Sequence, residues 1–408
     1  MGREYPAVTI NEKAARALRG GHPWVYGAET EGPEREYENG DIVDVITQKG
    51  SWLGAGFIND NSKIRVRVIS RNTNDRFDEA FWRRRISYAL EYRKTVMGTD
   101  FPCSRLIFGE ADGFPGLTAD LFGDILVTEV LSLGIERIKP LIYRLITELL
   151  EKYGVRLRAI YERNEAALRE KEGMRREKGF YAGLEGLKTD LDGHVTICEN
   201  GIYYDVDYIN GQKTGFFLDQ KYNRRAAAAL AGGKRVLDCF THTGAFALNC
   251  AKAGAASVTA VDISKDAVEA VRKNARINSL EGKIEAMQAD VFDLLTELAA
   301  AKQRPFDYII LDPPAFTKSG ATVNNAFRGY KEINLRAMKI LPRGGYLATC
   351  SCSHFMTDEL FSRMLAQAAA DAAVSLRQIE DRRQAPDHPI LWGVPETEYL
   401  KFKLFQIV

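Results

Sequence analysis

The spacing of apolar and polar positions changes character twice along this chain. Between residues 7 and 70, AVTI, DIVDVIT, WLGAGFI and KIRVRVI are short apolar runs parted by turns such as ENGD and INDNS. VRVIS alternates with period two. That pattern predicts a small, mostly β domain, with AARALRGG supplying one short helix before a glycine pair. Over 76–96, FDEAFWRRRISYALEYRKTV has helical spacing. LIFGEADGFPGLTADLFGDILVTEVLS then reads as two strands about a glycine-rich turn. Residues 135–154 form a clean amphipathic helix pattern, RLRAIYER a strand, and VTICENGIYYDVDYI a hairpin turning at Glu199–Asn200–Gly201. The middle of the chain is therefore expected to be mixed α/β.

From about residue 219 the rhythm becomes a regular exchange of strands and helices. RVLDCF, SVTAVD, KIEAMQAD, FDYIILDPP and GGYLATCSC have the apolar density of buried strands. GAFALNCAKAG, SKDAVEAVRKNARINSL, VFDLLTELAAAK, residues 329–341 and TDELFSRMLAQAAADAAV have helical spacing, with Ser264 placed to cap the second. This alternation predicts an α/β fold with a mostly parallel sheet covered on both faces. Ligands of such sheets sit at the carboxyl ends of the strands. Three domains follow: 1–73, 74–208 and 209–408.

Composition narrows the class without changing this picture. The 408 residues are 45% apolar and 27% charged, ordinary globular values. No stretch reaches 18 consecutive apolar residues, so no membrane-spanning helix is expected, and the first residues lack a secretory pattern. Six cysteines and five histidines are scattered; the one close pair, Cys350 and Cys352, lacks zinc-site spacing. We expect no metal, no membrane and a cytoplasmic setting. The net charge of +1 leaves room for local basic faces, as in RRRISYALEYRK at 83–94 and KEGMRREK at 171–178. Either run could instead be a solvated helix face.

The candidate chemistry falls at strand ends. VLDCFTHTGAFAL ends a strand at Asp238, and a loop carrying Gly244 leads into a helix. It lacks the GxGxxG fingerprint of dinucleotide sites, and its leading carboxylate would repel a pyrophosphate. The same carboxylate could accept a bond from the ammonium group of S-adenosylmethionine. Asp262 ends the next strand, where an acid can take both ribose hydroxyls, and Asp290 ends the third, within reach of an adenine edge. Any one of the three could be a mere helix cap; three at successive strand ends point to a nucleoside.

ILDPPAF ends the fourth strand. Pro313 and Pro314 stiffen its turn, holding Asp312 and Phe316 where one could bond and the other stack on a planar base. LATCSCSHF ends the fifth, and Cys352 lies nearest its carboxyl end. Carbon 5 of cytosine attacks a sulfonium methyl only after a thiolate adds at carbon 6, and an acid at N3 helps that addition. Strand parity does not separate Cys350 from Cys352, and both could be buried packing residues.

These residues resemble a known family, the RlmI-like class I methyltransferases of large-subunit ribosomal RNA that form 5-methylcytosine. The resemblance spans nearly the whole chain. It rests most on NGQKTGFFLDQKYNR, DCFTHTGAF, AVDIS, LDPPAF and TCSCSHFMTDELF. It implies an N-terminal PUA-like RNA-binding domain, a mixed α/β linking domain and a Rossmann-like catalytic domain. It implies that residues 212–220 close over S-adenosylmethionine, with Gln220 at the methionine end and Lys213 and Phe217 close by. Cys352 becomes the nucleophile through the SCS pattern. Pro313 stands where many RNA cytosine-5 enzymes carry a second cysteine, which leaves product release without an assigned group. The resemblance also implies a homodimer. An RNA N-methyltransferase acting on guanine N2 or adenine N6 could use DPPAF without a cysteine. A non-catalytic RNA-binding assembly factor is a further alternative.

Overall fold

The computed structural model describes residues 4–31, 37–302, 304–317 and 319–408. The chain packs as two compact units. One comprises residues 1–196, 206–218 and 386–397, the other 197–205, 219–385 and 398–408.

In the first unit the four expected β runs are strands of a six-stranded sheet. Its spatial order is Trp24–Tyr26, Ile64–Ser70, Trp52–Ile58, Ile42–Thr47, Ala7–Ile10, Thr30–Glu31. The helix Glu12–Arg19 starts where Asn11 accepts the Ala14 amide at 3.0 Å. A second sheet of the same unit runs Glu177–Phe180, Ala159–Asn164, Ile125–Val130, Leu117–Phe122, Cys103–Phe108. The stretch from Leu106 to Ser132 holds parts of three strands, not the two its pattern suggested. Phe122 pairs with Ile125 across a two-residue turn in which Gly123 takes φ 65°. The helices Glu79–Met97 and Leu133–Lys152 lay Trp82, Ile86, Leu90, Ile142 and Ile146 into one core, shared with Phe57 of the first sheet. Asp78 caps the first of these helices, accepting the Phe81 amide at 2.9 Å.

The two sheets are also joined by charge. The guanidinium of Arg67 bonds Glu172 at 2.9 Å and Glu110 at 3.3 Å, and all three side chains are largely buried. Asn59 donates to the Glu172 carboxylate at 3.1 Å.

The second unit carries a seven-stranded sheet whose strands we label in chain order. They are β1 Arg235–Cys239, β2 Ser257–Asp262, β3 Ile284–Gln288, β4 Tyr308–Leu311, β5 Tyr346–Ser351, β6 Leu376–Arg382 and β7 Lys401–Ile407. The spatial order is β3-β2-β1-β4-β5-β7-β6. The first five are parallel, and β7 runs antiparallel to both of its neighbours. The expected alternation with helices holds: Ala245–Lys252, Lys265–Ile277, Val291–Ala300 and Val323–Ile340 link successive parallel strands. Ser264 caps the second, accepting the Ala267 amide at 3.3 Å. The strands β1, β4 and β5 are almost entirely buried. Their sequence order reverses between β1 and β4, and ligands of open α/β sheets bind in the crevice at such a switch point, at the carboxyl ends of the strands.

Candidate active site

The loop after β1 is wound tightly. Phe240 and His242 take positive φ, 61° and 52°, and Gly244 takes 80° as it enters the next helix. Such backbone is held only where surrounding contacts over-determine it, and it gathers at functional sites. Here the Thr241 hydroxyl donates to Asp238 Oδ2 at 2.5 Å and the Ala247 amide donates to the same oxygen at 3.0 Å. The other oxygen, Oδ1, is buried and has no hydrogen-bond partner. Burial pushes the Asp238 carboxyl up to about 7, against the two hydrogen bonds that favour its ionised form. A buried carboxylate oxygen without a donor is costly. A cationic donor entering the crevice would satisfy it, so the residues present fit the ammonium end of S-adenosylmethionine.

Asp262 ends β2. It accepts the His242 amide at 2.9 Å and the Ser264 amide at 2.9 Å, one on each oxygen, which fixes its carboxylate in place. Burial holds the His242 imidazole down at about 4, so this side of the crevice carries no histidine charge near neutrality. Asp290 follows β3 and caps the next helix, its Oδ1 accepting Phe292 N at 2.7 Å.

Asp312 follows β4. Its Oδ1 accepts the Gln220 amide at 3.0 Å, and the Cys350 thiol bonds the same carboxylate. Burial and the nearby Asp219 charge raise Asp312 to about 6, opposed by Arg224 and by these bonds. Gln220 is itself held by Asn223, whose amide donates to its Oε1 at 2.7 Å. Pro313 is buried and Pro314 exposed. Phe316 packs on Tyr330, ring centroids 4.6 Å apart, and on Phe292 at 5.9 Å. Aromatic neighbours therefore already support part of its ring.

The two cysteines that parity could not separate differ in the structure. Cys350 lies inside β5 and is fully buried. Strand β5 stops at Ser351, so Cys352 leaves the ladder and keeps partial access to the surface. The surroundings still disfavour its thiolate: burial, Asp312 and Asp219 push it up to about 12, with Lys401 pulling the other way. The turn is pinned from two directions. Ser353 Oγ donates to the Thr317 carbonyl at 3.0 Å, and Lys401 Nζ donates to the Ser353 carbonyl at 2.6 Å. Lys401 is 3% exposed at the start of β7, and its Nζ also donates to the Tyr399 carbonyl at 2.7 Å. Burial lowers it to about 8.

Sequence reasoning missed Lys401, Asn223 and Asp219. Asp219 is buried, with Oδ2 bonded by the Tyr399 hydroxyl at 2.6 Å and Oδ1 without a partner. The available signal for Lys401 was a lysine at each alternate position of an otherwise apolar run, KFKLF. Lys213 and Phe217 fall in the first unit. Among the described residues no cluster of His, Cys, Asp and Glu could hold a metal ion.

Comparison with known proteins decides the lineage. Residues 182–405 match the S-adenosylmethionine-dependent methyltransferase family, and residues 8–71 match a PUA-like domain. The chain is 38% identical over 396 residues to the ribosomal RNA large subunit methyltransferase I of Pseudoalteromonas atlantica, covering 97% of each. It is 40% identical to the enzyme of that name in Aeromonas hydrophila, covering 93% of this chain and 94% of the relative. This chain belongs to the ribosomal RNA large subunit methyltransferase I family. A Streptococcus mutans protein described as a SAM-dependent methyltransferase shares the fold at 21% identity and TM-score 0.80, covering 98% of this chain and all of that one. A second solved methyltransferase, complexed with SAH, aligns at 20% identity and TM-score 0.82, covering 98% and 100%. The methyltransferase family match reaches past the start of β7, so Lys401 falls within it.

Proposed function

We propose that this chain transfers a methyl group from S-adenosylmethionine to carbon 5 of a cytosine in large-subunit ribosomal RNA, with Cys352 as nucleophile. The observation that carries this reading is a partly accessible cysteine just past the end of β5, near enough to the carboxyl group at the end of β4 for that charge to raise its thiol. An N-methyltransferase has no use for that cysteine. The cofactor, when bound, supplies the methyl group as an electrophile. Asp238 Oδ1 takes its ammonium, Asp262 its ribose and Asp290 its adenine region, with Gly244 giving the loop its close approach. Lys213 and Phe217 lie close by in this reading, as the family resemblance implies.

Asp312 is raised to about 6, so close to neutrality a useful fraction is protonated and can donate to cytosine N3. Phe316 and the rigid Pro313–Pro314 turn set the plane of the base. Cys352 Sγ then adds to carbon 6. Its thiolate needs help, because its surroundings favour the thiol. The Lys401 ammonium, locked onto the Ser353 carbonyl beside it, offers the positive charge that favours the ionised sulfur. Carbon 5, now enamine-like, takes the methyl group. Loss of the carbon 5 proton to solvent, departure of the sulfur from carbon 6 as thiolate and return of the N3 proton to Asp312 release 5-methylcytosine. A base in a helix must first be flipped out of its stack to reach such a crevice.

The domain plan extends this reading: 1–73 for RNA binding, 74–208 as the link and 209–408 for catalysis. So do a cytoplasmic setting and a homodimer, which sedimentation analysis would separate from a monomer. The reaction itself is tested with unmodified large-subunit rRNA and methyl-labelled cofactor, comparing wild type with C352A. Labelled 5-methylcytidine from wild type alone supports the mechanism. Labelled N2-methylguanosine or N6-methyladenosine from both proteins overturns it.

A further inference from the structure

The basic run at 83–94 has no part in the steps above. Its first residues face a cleft of about 700 Å³ that lies wholly within the first unit. The end of the Ile64–Ser70 strand, the helix Glu79–Met97 and the turn at Glu110–Gly113 wall it. Arg85, Tyr88 and Ala89 fall at helical spacing and so share one face.

The carboxylates of this cleft are already engaged. Asp75 accepts the Ser70 hydroxyl at 2.6 Å and Arg84 at 2.9 Å. Asp112 holds the buried Arg93 through both of its oxygens. Glu110 accepts Trp24 Nε1 at 3.0 Å and Arg67 at 3.3 Å. Two guanidiniums remain without an anion. Arg71 makes no hydrogen bond or ion pair among the described residues, and the cleft walls lower its proton affinity by desolvation alone. Arg85 lies over the Phe81 ring at 4.8 Å and reaches only the Gly113 carbonyl, at 3.4 Å. Its burial likewise outweighs the distant Asp75 and Asp112 charges. On the rim stands Tyr88, 63% exposed.

The exposed guanidinium of Arg71 and the half-buried one of Arg85, both without an anion, are binding capacity for a doubly accepting anion such as phosphate. An exposed tyrosine one helical turn away adds a face on which a base can stack. A free phosphate would use the arginines and leave the ring idle. We propose that this cleft binds one phosphate-and-base step of the RNA substrate, with Arg71 and Arg85 on the phosphate oxygens and Tyr88 against the base. This rests on the reading that the substrate is RNA, and it concerns binding rather than methyl transfer.

The test uses the full chain and an unmodified large-subunit rRNA fragment, with affinity measured across a salt series. Arg71→Ala together with Arg85→Ala should weaken RNA binding by about tenfold or more and reduce the salt slope by about two. Tyr88→Ala should weaken binding without changing the slope. Cofactor affinity should match wild type in all of them. Arg71→Ala alone, at a side chain with no bonds to lose, guards against a folding defect and should lower the slope by about one. RNA affinity within twofold of wild type in the double variant would overturn the assignment. So would loss of inorganic phosphate binding with RNA affinity intact, which would make the cleft a free-anion site. Nucleoside analysis of the same reactions keeps the two readings apart. RNA binding that depends on Arg71 and Arg85 but yields no 5-methylcytidine would leave the cleft standing and sink the methylation mechanism.

Discussion

At Asp238 one side chain joins the fold, the proposed cofactor contact and pH. Its carboxyl is held at about 7 in the folded protein, against an ordinary value of 3.8. The folded state thus binds this proton more tightly than the unfolded chain does. Its stabilising contribution is complete below about 3.8 and is lost as pH rises through about 7. Asp238→Asn should therefore make the cofactor-free protein more stable at pH 8, by on the order of 2 kcal/mol, with little change at pH 4. Urea titration at the two values checks this. The cofactor ammonium wants the ionised carboxylate, so its affinity should rise with pH through about 7 in wild type and lose that dependence in the variant; isothermal titration would show it. Lys401 gives a second residue-scale prediction. Lys401→Met should raise the pH needed to alkylate Cys352 and cut the thiolate fraction near neutrality by about tenfold, whereas Lys401→Arg should restore part of it. An unshifted alkylation profile in the methionine variant would dismiss the lysine's electrostatic role. That the acids and Cys352 fall at or just past strand ends was legible in the sequence, because the apolar runs that precede them mark the strands. Lys401 was not, since a lysine in an apolar strand ordinarily points to water.

At the scale of elements, the periodicity located every parallel strand of the catalytic sheet and the helices between them. It missed β6, whose residues are mostly exposed, and β7, whose two buried lysines break its apolar run. Lys403 is neutralised by Asp381 at 2.6 Å and Asp358 at 2.9 Å, a pairing that local sequence cannot reveal. The strand Glu177–Phe180 was hidden by charge in the same way. The β1 loop offers a sharp test of local geometry. A methyl group on Gly244 would meet Val271 Cγ1 at 3.1 Å and would have to accept φ 80°. Gly244→Ala should cost about 1–2 kcal/mol in chemical denaturation and weaken the cofactor more than the RNA. Equal loss of both ligands would show that the change acts on the whole fold.

Across the whole molecule, the PUA-like sheet and its neighbour are not loosely strung modules. Phe57 of the first sheet stacks 6.0 Å from Trp82 of the linking helix, and Arg67 and Glu172 form a buried pair between the two sheets. Removing one partner of such a pair strands the other charge. Glu172→Ala should destabilise the first unit by about 3–5 kcal/mol, and both of its sheets should melt together in hydrogen exchange. Separate melting of the six-stranded sheet would show that it is independent of its neighbour. The change in period suggests a boundary near residue 73, and one core cluster spans that position through Phe57, Trp82 and Phe114.

The order of the catalytic sheet also constrains how it can be assembled. Strand β7 is made after β6 yet lies between β6 and β5, so β6 has no ladder to join until β7 arrives. Growth strand by strand in the order of synthesis is impossible at this edge. The gap must stay open, with apolar flanks of β5 unsatisfied, while the residues from β6 to β7 are added. The same late strand brings the lysine that anchors the Cys352 turn. A ribosome-bound chain halted before β7 would therefore hold all four strand-end acids beside a thiol whose turn lacks its lysine. The Cys352 turn gains its lysine anchor only in the single step that closes the sheet.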